Sequence, residues 1–251
     1  MKNSFNFYNL LKHPLIVAII IGIFFNIAIS KYSNDTAQNN TIIQLGFIPS
    51  RQAYTQCIDS VNQLGNDYYN IRYQAKLING LLSQHSETPA KIFEIIKIEN
   101  ALESYETKAN AAYTTQINYC DHAYIDLEFA SQILRKEKPF NQILRKRNAS
   151  IEAITNKQAL LQSKLDGLKA TSLIKLNTVF LPKNPNASNA QIWIFKAENL
   201  YGTSFIKIYD ELLLLQHKKF KLERNYYSLA RNMLEKTLIK RLHKNIWQYI
   251  F

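Results

Sequence analysis

Turn-forming residues are scarce in this chain, with six glycines and six prolines among 251 residues, roughly half the usual share for glycine. Sandwiches, barrels and doubly wound sheets turn often, and their turns are built from Gly, Pro and Asn. Their scarcity excludes many-stranded folds and predicts a few long helices. The glycines are scattered, and neither GxGxxG nor GxxxxGK[ST] occurs, so no backbone cradle for a phosphate is expected. HExxH and the Glu-x-x-His of di-metal bundles are missing too. Cys120-Asp121-His122, with Asp126 and Glu128, offers ligand-type side chains, but on a helix they diverge. Ser172-Leu173-Ile174-Lys175 matches an SxxK element without its SDN and KTG companions. His85 and His217 stand alone. No cofactor, metal or catalytic residue is expected, and the chain reads as non-enzymatic.

What is present begins with Leu15 to Ile29, a run without a charged residue, behind Lys2, Lys12 and His13. As a helix it spans about 22 Å at 1.5 Å per residue, short of a ~30 Å hydrocarbon core. Leu10, Leu11 and Pro14 lengthen it. The run is apolar on every side and has the layout of a signal sequence, so residues 1–30 are read as a signal-anchor or signal peptide. Ala28-Ile29-Ser30 offers small residues for cleavage near Ser30; a retained anchor is favoured. The flanking lysines place the N-terminus inside and the bulk of the chain outside the cytoplasm. The location would be periplasmic in a Gram-negative cell, with a secreted or periplasmic product if the segment is cleaved.

Residues 31–49 read as a linker, because Lys31 to Asn40 is polar and turn-rich. From Pro49-Ser50 the spacing becomes regular. Tyr54, Cys57, Val61, Leu64, Tyr68, Ile71, Ala75, Ile78 and Leu82 alternate at three and four residues, a seam along one helix. A second seam runs from Ile95 through Leu102, Ala109, Gln116, Cys120 and Leu127 to Leu134. If the two helices fold back on each other, facing positions keep a constant sum, and Cys57 falls opposite Cys120. That predicts an antiparallel hairpin over 50–137 closed by a Cys57–Cys120 disulfide, the natural state outside the cytoplasm. A second hairpin over 138–234 follows Lys138-Pro139. Its arms are Leu144, Ile151, Gln158, Leu161, Leu165 and Leu168 against Leu229, Leu222, Leu215, Leu212, Ile208 and Phe205. The tip lies near Pro185, where Ile192, Trp193 and Phe195 form an apolar docking surface.

Residues 235–251 form a basic amphipathic overhang. Leu234, Leu238, Leu242, Ile246 and Ile250 mark one face, with Lys236, Lys240, Arg241, Lys244, Trp247, Tyr249 and Phe251 around it. Charge is concentrated toward this end: residues 136–251 hold 21 Lys and Arg against 8 Asp and Glu, whereas residues 31–135 hold 8 against 11. Up-down-up-down order returns the overhang to the membrane end, as a contact for anionic lipid or a protein partner; nucleic acid ranks below both. The predicted fold is all-α: an N-terminal membrane segment, then two long antiparallel hairpins forming an elongated four-helix bundle or coiled coil. The expected function is a membrane-anchored extracytoplasmic scaffold or adaptor in a cell-envelope assembly, such as a secretion, conjugation or surface apparatus. Its partners would be proteins of that complex, with self-association as a further option. The alternative is an extracytoplasmic sensor or ligand-binding bundle.

Overall fold

The computed structural model describes residues 14–84, 89–171, 194 and 197–243. The chain is all-α, and no strand occurs among the described residues. Helix α1 (Pro14–Ile42) passes through one π turn (Ile43–Phe47) into α2 (Ile48–Leu82); α3 (Pro89–Ile133), α4 (Glu137–Thr171) and α5 (Thr203–Leu242) follow. The N-terminal part of this first continuous helix is long and apolar enough to cross a membrane. Ile21, Phe24 and Ile27 on it are exposed.

The linker expected at 31–49 is instead helical throughout. Polar composition suggested a loop, yet Lys31 to Asn40 contains neither Gly nor Pro to stop a helix. The hydroxyls of Thr36 and Thr41 donate to carbonyls four residues back, at 2.9 and 3.0 Å. Asn39, Ile42, Gly46, Ser50 and Ala53 form a buried stripe at helical spacing. Packing of that stripe outweighs the weak local preference.

The π turn answers to Pro49. Inside an α-helix a proline lacks its N–H and presses on the carbonyl four residues back. Here the turn before it is widened, and the Ile48 N–H donates to the Ile43 carbonyl five residues back. Gly46 within this turn lies against α3. A Cβ there would sit 2.9 Å from Ala130 Cβ and 3.4 Å from the Asp126 carbonyl oxygen. Gly46→Val is therefore expected to lower the unfolding free energy by about 1–3 kcal/mol through overpacking. An unchanged urea midpoint would show that the π turn and α3 do not meet there.

At the α3–α4 corner Arg135 takes φ 55°. Its N–H donates to the Gln132 carbonyl at 3.0 Å, and Lys136 N–H to the Ser131 carbonyl at 2.8 Å. This is a Schellman ending with arginine in the place usually held by glycine. Pro139 falls in the first turn of α4, where its missing N–H costs nothing.

Helices α2 and α3 pair along their length, α5 packs on both α2 and α4, and α3 touches α4 only sparsely beyond the corner. The hairpin register puts Cys57 against Cys120, and the two are joined, with sulfurs 2.05 Å apart and Cα atoms 4.7 Å apart. Around them Val61 is buried, with Phe220 packed on the group. One apolar core lies toward the far end, built from residues such as Leu64, Ile71, Ile78, Ile95, Leu102, Leu165, Phe205 and Leu212. A second lies toward the α1 end, around Ile42, Leu127, Phe140, Tyr227 and Leu234.

Two expectations about the second hairpin need correction. Leu212, Ile208 and Phe205 are buried as expected, but Leu229 is 57% exposed. The buried face of α5 instead continues through Gln216, Lys219, Glu223, Tyr227 and Ala230. Leucines spaced by seven marked an adjacent face. The registers differ by one position there, and Gln158 meets Gln216 where Leu215 was expected. The overhang, moreover, does not project freely up to Leu242. Leu234 and Leu238 are buried with Ile42, Leu134 and Phe140, because the helical 31–49 segment supplies the missing neighbour.

Candidate functional site

Between the two apolar cores lies a buried polar layer, and its geometry follows from which residues each helix turns inward. α3 contributes Gln116, α4 contributes Arg147 and Gln158, and α5 contributes Gln216, Lys219 and Glu223, all buried. Gln158 Nε2 donates to Gln216 Oε1 at 3.3 Å. Gln216 Nε2 donates to the Val61 carbonyl at 3.2 Å and to Gln116 Oε1 at 3.3 Å. The Val61 carbonyl can only accept, so it fixes the polarity of the glutamine chain. Gln116 consequently receives on its oxygen, and its buried Nε2 has no partner among the described residues.

Arg147 forms the second part of the layer. Its Nε and Nη2 donate to the two Glu223 carboxylate oxygens at 3.0 and 2.7 Å, a bidentate pair. Its Nη1 donates to Asp121 Oδ1 at 2.8 Å, and its guanidinium lies 4.5 Å from the Tyr124 ring centre. Burial works to lower the Arg147 pKa, but the Glu223 hydrogen bonds and charge outweigh it, so the balance is upward. Lys219 is different. Burial pushes its pKa down, Glu223 opposes that, and Arg147 adds to it. Its ammonium rests 5.5 Å from the Tyr113 ring centre and makes no hydrogen bond or ion pair among the described residues.

The sparse contact between α3 and α4 leaves a cleft over this layer. One cavity of about 440 Å³ is lined by Tyr124, Ile125, Leu144, Arg147 and Ile151 among others. A deeper one of about 190 Å³ includes Tyr113, Gln116, Ile117, Ile151, Lys219 and Glu223. Asp121, Arg147, Ile151 and Thr155 line both. Among the described residues no group of three His, Cys, Asp or Glu side chains is placed to hold a metal ion.

A separate buried carboxyl lies in the far core. Glu99 is 5% exposed; Tyr201 donates to its Oε1 at 2.8 Å, while Oε2 has no partner among the described residues. Burial raises its pKa, with the Tyr201 hydrogen bond opposing and Glu103 reinforcing. A raised carboxyl pKa contributes stability at pH below the ordinary carboxyl range, and this is lost as pH rises through the raised value. Glu99→Gln is therefore expected to add about 1–2 kcal/mol at neutral pH and to flatten stability between the ordinary carboxyl range and neutrality. Urea melts across that window check the sign; a variant less stable at neutral pH would contradict it.

The residues expected to act are distributed as follows. Cys57 and Cys120 meet in the bundle centre. Lys236 and Lys240 are exposed, whereas Arg241 turns onto α1. Its Nη2 donates to Gln38 Oε1 at 3.1 Å and reaches Asp35 Oδ1 at 3.5 Å, and its Nη1 donates to the Ile133 carbonyl at 3.4 Å. Lys244, Trp247, Tyr249 and Phe251, and the tip residues Ile192, Trp193 and Phe195, lie outside the described residues. Sequence reasoning noted Gln116 and Gln158 as seam members but missed Arg147, Gln216, Lys219 and Glu223. For the three α5 residues the signal was a stripe continuing from Phe205 and Leu212 at three- and four-residue steps through polar side chains; Arg147 lies on α4, seven residues from buried Phe140 and from buried Ile154. No protein-family model matches this chain, and no curated protein or solved structure matches it either.

Proposed function

We propose that the protein is a non-enzymatic scaffold or adaptor of a cell-envelope assembly, anchored by α1 with its N-terminus inside and its bundle outside the cytoplasm. The observation that carries this is the unbroken helix from the apolar run into the bundle. A helix without a flexible joint transmits position and orientation, which suits a spacer or docking post better than a tethered enzyme. Arg241 braces the same end, meeting Asp35 about 9 Å along the helix from Ile29. Lys236 and Lys240 would then face anionic headgroups or an acidic partner, with the terminal aromatic residues beside them. The Cys57–Cys120 bridge is in keeping with an oxidising compartment.

The test is cross-linking in intact cells through Lys236 and Lys240, followed by identification of the captured proteins. The proposal expects the same envelope proteins in repeated captures, from a membrane fraction that resists alkaline washing. Recovery in the soluble fraction, or with the cysteines open to cytoplasmic alkylation, would sink it. Trp193→Ala with Phe195→Ala should remove a subset of the partners if the tip docks.

A further inference from the structure

Among the described residues the polar layer leaves two donor groups, Lys219 Nζ and Gln116 Nε2, without an acceptor, and one acceptor, Gln158 Oε1, without a donor. Lys219 and Gln116 are both more than nine-tenths buried and line the same cavity of about 190 Å³. They come from different helices, and Gln216, one helical turn from Lys219, holds Gln116 by its oxygen. The free face of Gln116 is thus a donor, and an ammonium has only donors to offer. Gln116 Nε2 is fully buried without a partner among the described residues, and the Lys219 ammonium opens onto the same cavity, so the site favours something that accepts from both.

The charges around them decide whether that acceptor carries a charge. Arg147 and Glu223 neutralise each other in a bidentate pair, with side chains 6% and 1% exposed. Asp121, the third partner, is 58% exposed and is screened by water. Among the described residues of this layer, Lys219 is the buried cation without a hydrogen-bonded counterion, Glu223 and Asp121 acting on it through charge alone. A neighbouring ring is a modest substitute, and a buried cation gains most from a partner that is both anionic and hydrogen-bonded.

The cavity is also larger than a bridging water needs, since water occupies about 30 Å³. It shares Asp121, Arg147, Ile151 and Thr155 with the 440 Å³ cavity. The walls there are apolar: Ile117 and Ile125 of α3 are 42% and 56% exposed and line this cleft, with Leu144 and Ile151 of α4 opposite. An acceptor head at the floor and an aliphatic body along the walls describe one ligand class.

We propose that the cleft between α3 and α4 binds a small organic carboxylate, its head on Lys219 Nζ and Gln116 Nε2 and its apolar body against Ile117, Ile125, Leu144 and Ile151. This does not depend on the scaffold assignment. The test is titration calorimetry of the full chain in nanodiscs with hexanoate, and with hexanamide and inorganic phosphate as matched probes. Saturable hexanoate binding is expected, with hexanamide at least tenfold weaker and phosphate, which lacks the body, at least tenfold weaker too. Lys219→Met should weaken hexanoate at least tenfold, and Ile151→Trp, which fills the cleft and leaves both donors in the sequence, should do the same with an unchanged helical spectrum. No saturable binding, equal binding of hexanamide, or full binding by Lys219→Met would each overturn the proposal.

Discussion

Replacing Cys57 and Cys120 together by alanine is expected to lower the unfolding free energy by about 4 kcal/mol, the loop-closure value for a bridge with this separation. The bridge spans 63 residues, and the loop it closes includes most of α2 and α3. Folded domains retain only about 5–15 kcal/mol in all, so this single cross-link is a large share. Its position matters as much as its loop length. Cys57 and Cys120 are 1% and 2% exposed beside Val61, in the small cluster between the two apolar cores. Neither core reaches this layer, and the neighbouring polar layer adds little net burial of apolar surface. Urea melts of the double variant should show a lower midpoint with helix content retained, and reduction of the wild type should reproduce the shift. A midpoint unchanged by both treatments would mean that the α2–α3 register is held elsewhere.

The first hairpin was legible in the sequence because its seam is mostly apolar on both arms. Regular three- and four-residue steps fix which face is buried, and two cysteines in register then identify the partner positions. The second hairpin was legible only at its far end. From Leu212 to Phe205 the buried residues are apolar, and a hydrophobic pattern finds them. Beyond Leu212 the buried face becomes Gln216, Lys219 and Glu223, while Leu214 and Leu229 are 70% and 57% exposed. A pattern that equates apolar with inside must there select the wrong face. These polar residues are inside because α3 and α4 diverge, so that the core at this level is partnered by hydrogen bonds and ion pairs instead of by apolar packing.

The linker and the overhang were misread for a single reason. Each is only weakly apolar by itself: Lys31 to Asn40 has no hydrophobic stripe, and residues from Glu235 on alternate leucines with lysines. Each finds its partner in the other. Ile42 and Leu238 are 0% and 6% exposed in one cluster, and Arg241 reaches Asp35 and Gln38 across the same interface. Such mutual support over some two hundred positions of sequence is invisible to local periodicity. The continuous rod and the braced end are therefore structural findings that no segment announces alone.

The Arg147–Glu223 pair supplies the other large effect, and the two partners are not equivalent. Removing one member of a buried ion pair costs about 3–5 kcal/mol, because the other remains charged in the interior. Arg147→Met leaves Glu223 without its bidentate donor, but Lys219 lies one turn away on the same helix and can compensate in part. Glu223→Leu leaves two cations, Arg147 and Lys219, with only the exposed Asp121 to oppose them. The loss for Glu223→Leu is expected near the upper end of that range and for Arg147→Met near the lower. Replacing both should cost less than the sum, and this double-mutant cycle measures the coupling directly. The pH dependence separates the variants further. Lys219 already has a pKa lowered by burial, with Glu223 the main group opposing the shift, so Glu223→Leu should lower it more. Between that lowered value and the ordinary lysine range the unfolded chain binds more protons than the folded one, so stability rises with pH there. The Glu223→Leu variant should thus recover stability as the solution is made alkaline, whereas Arg147→Met should recover less. Equal losses with parallel pH profiles would show that Lys219 does not sense this pair, and would remove the asymmetry on which the layer's charge assignment rests.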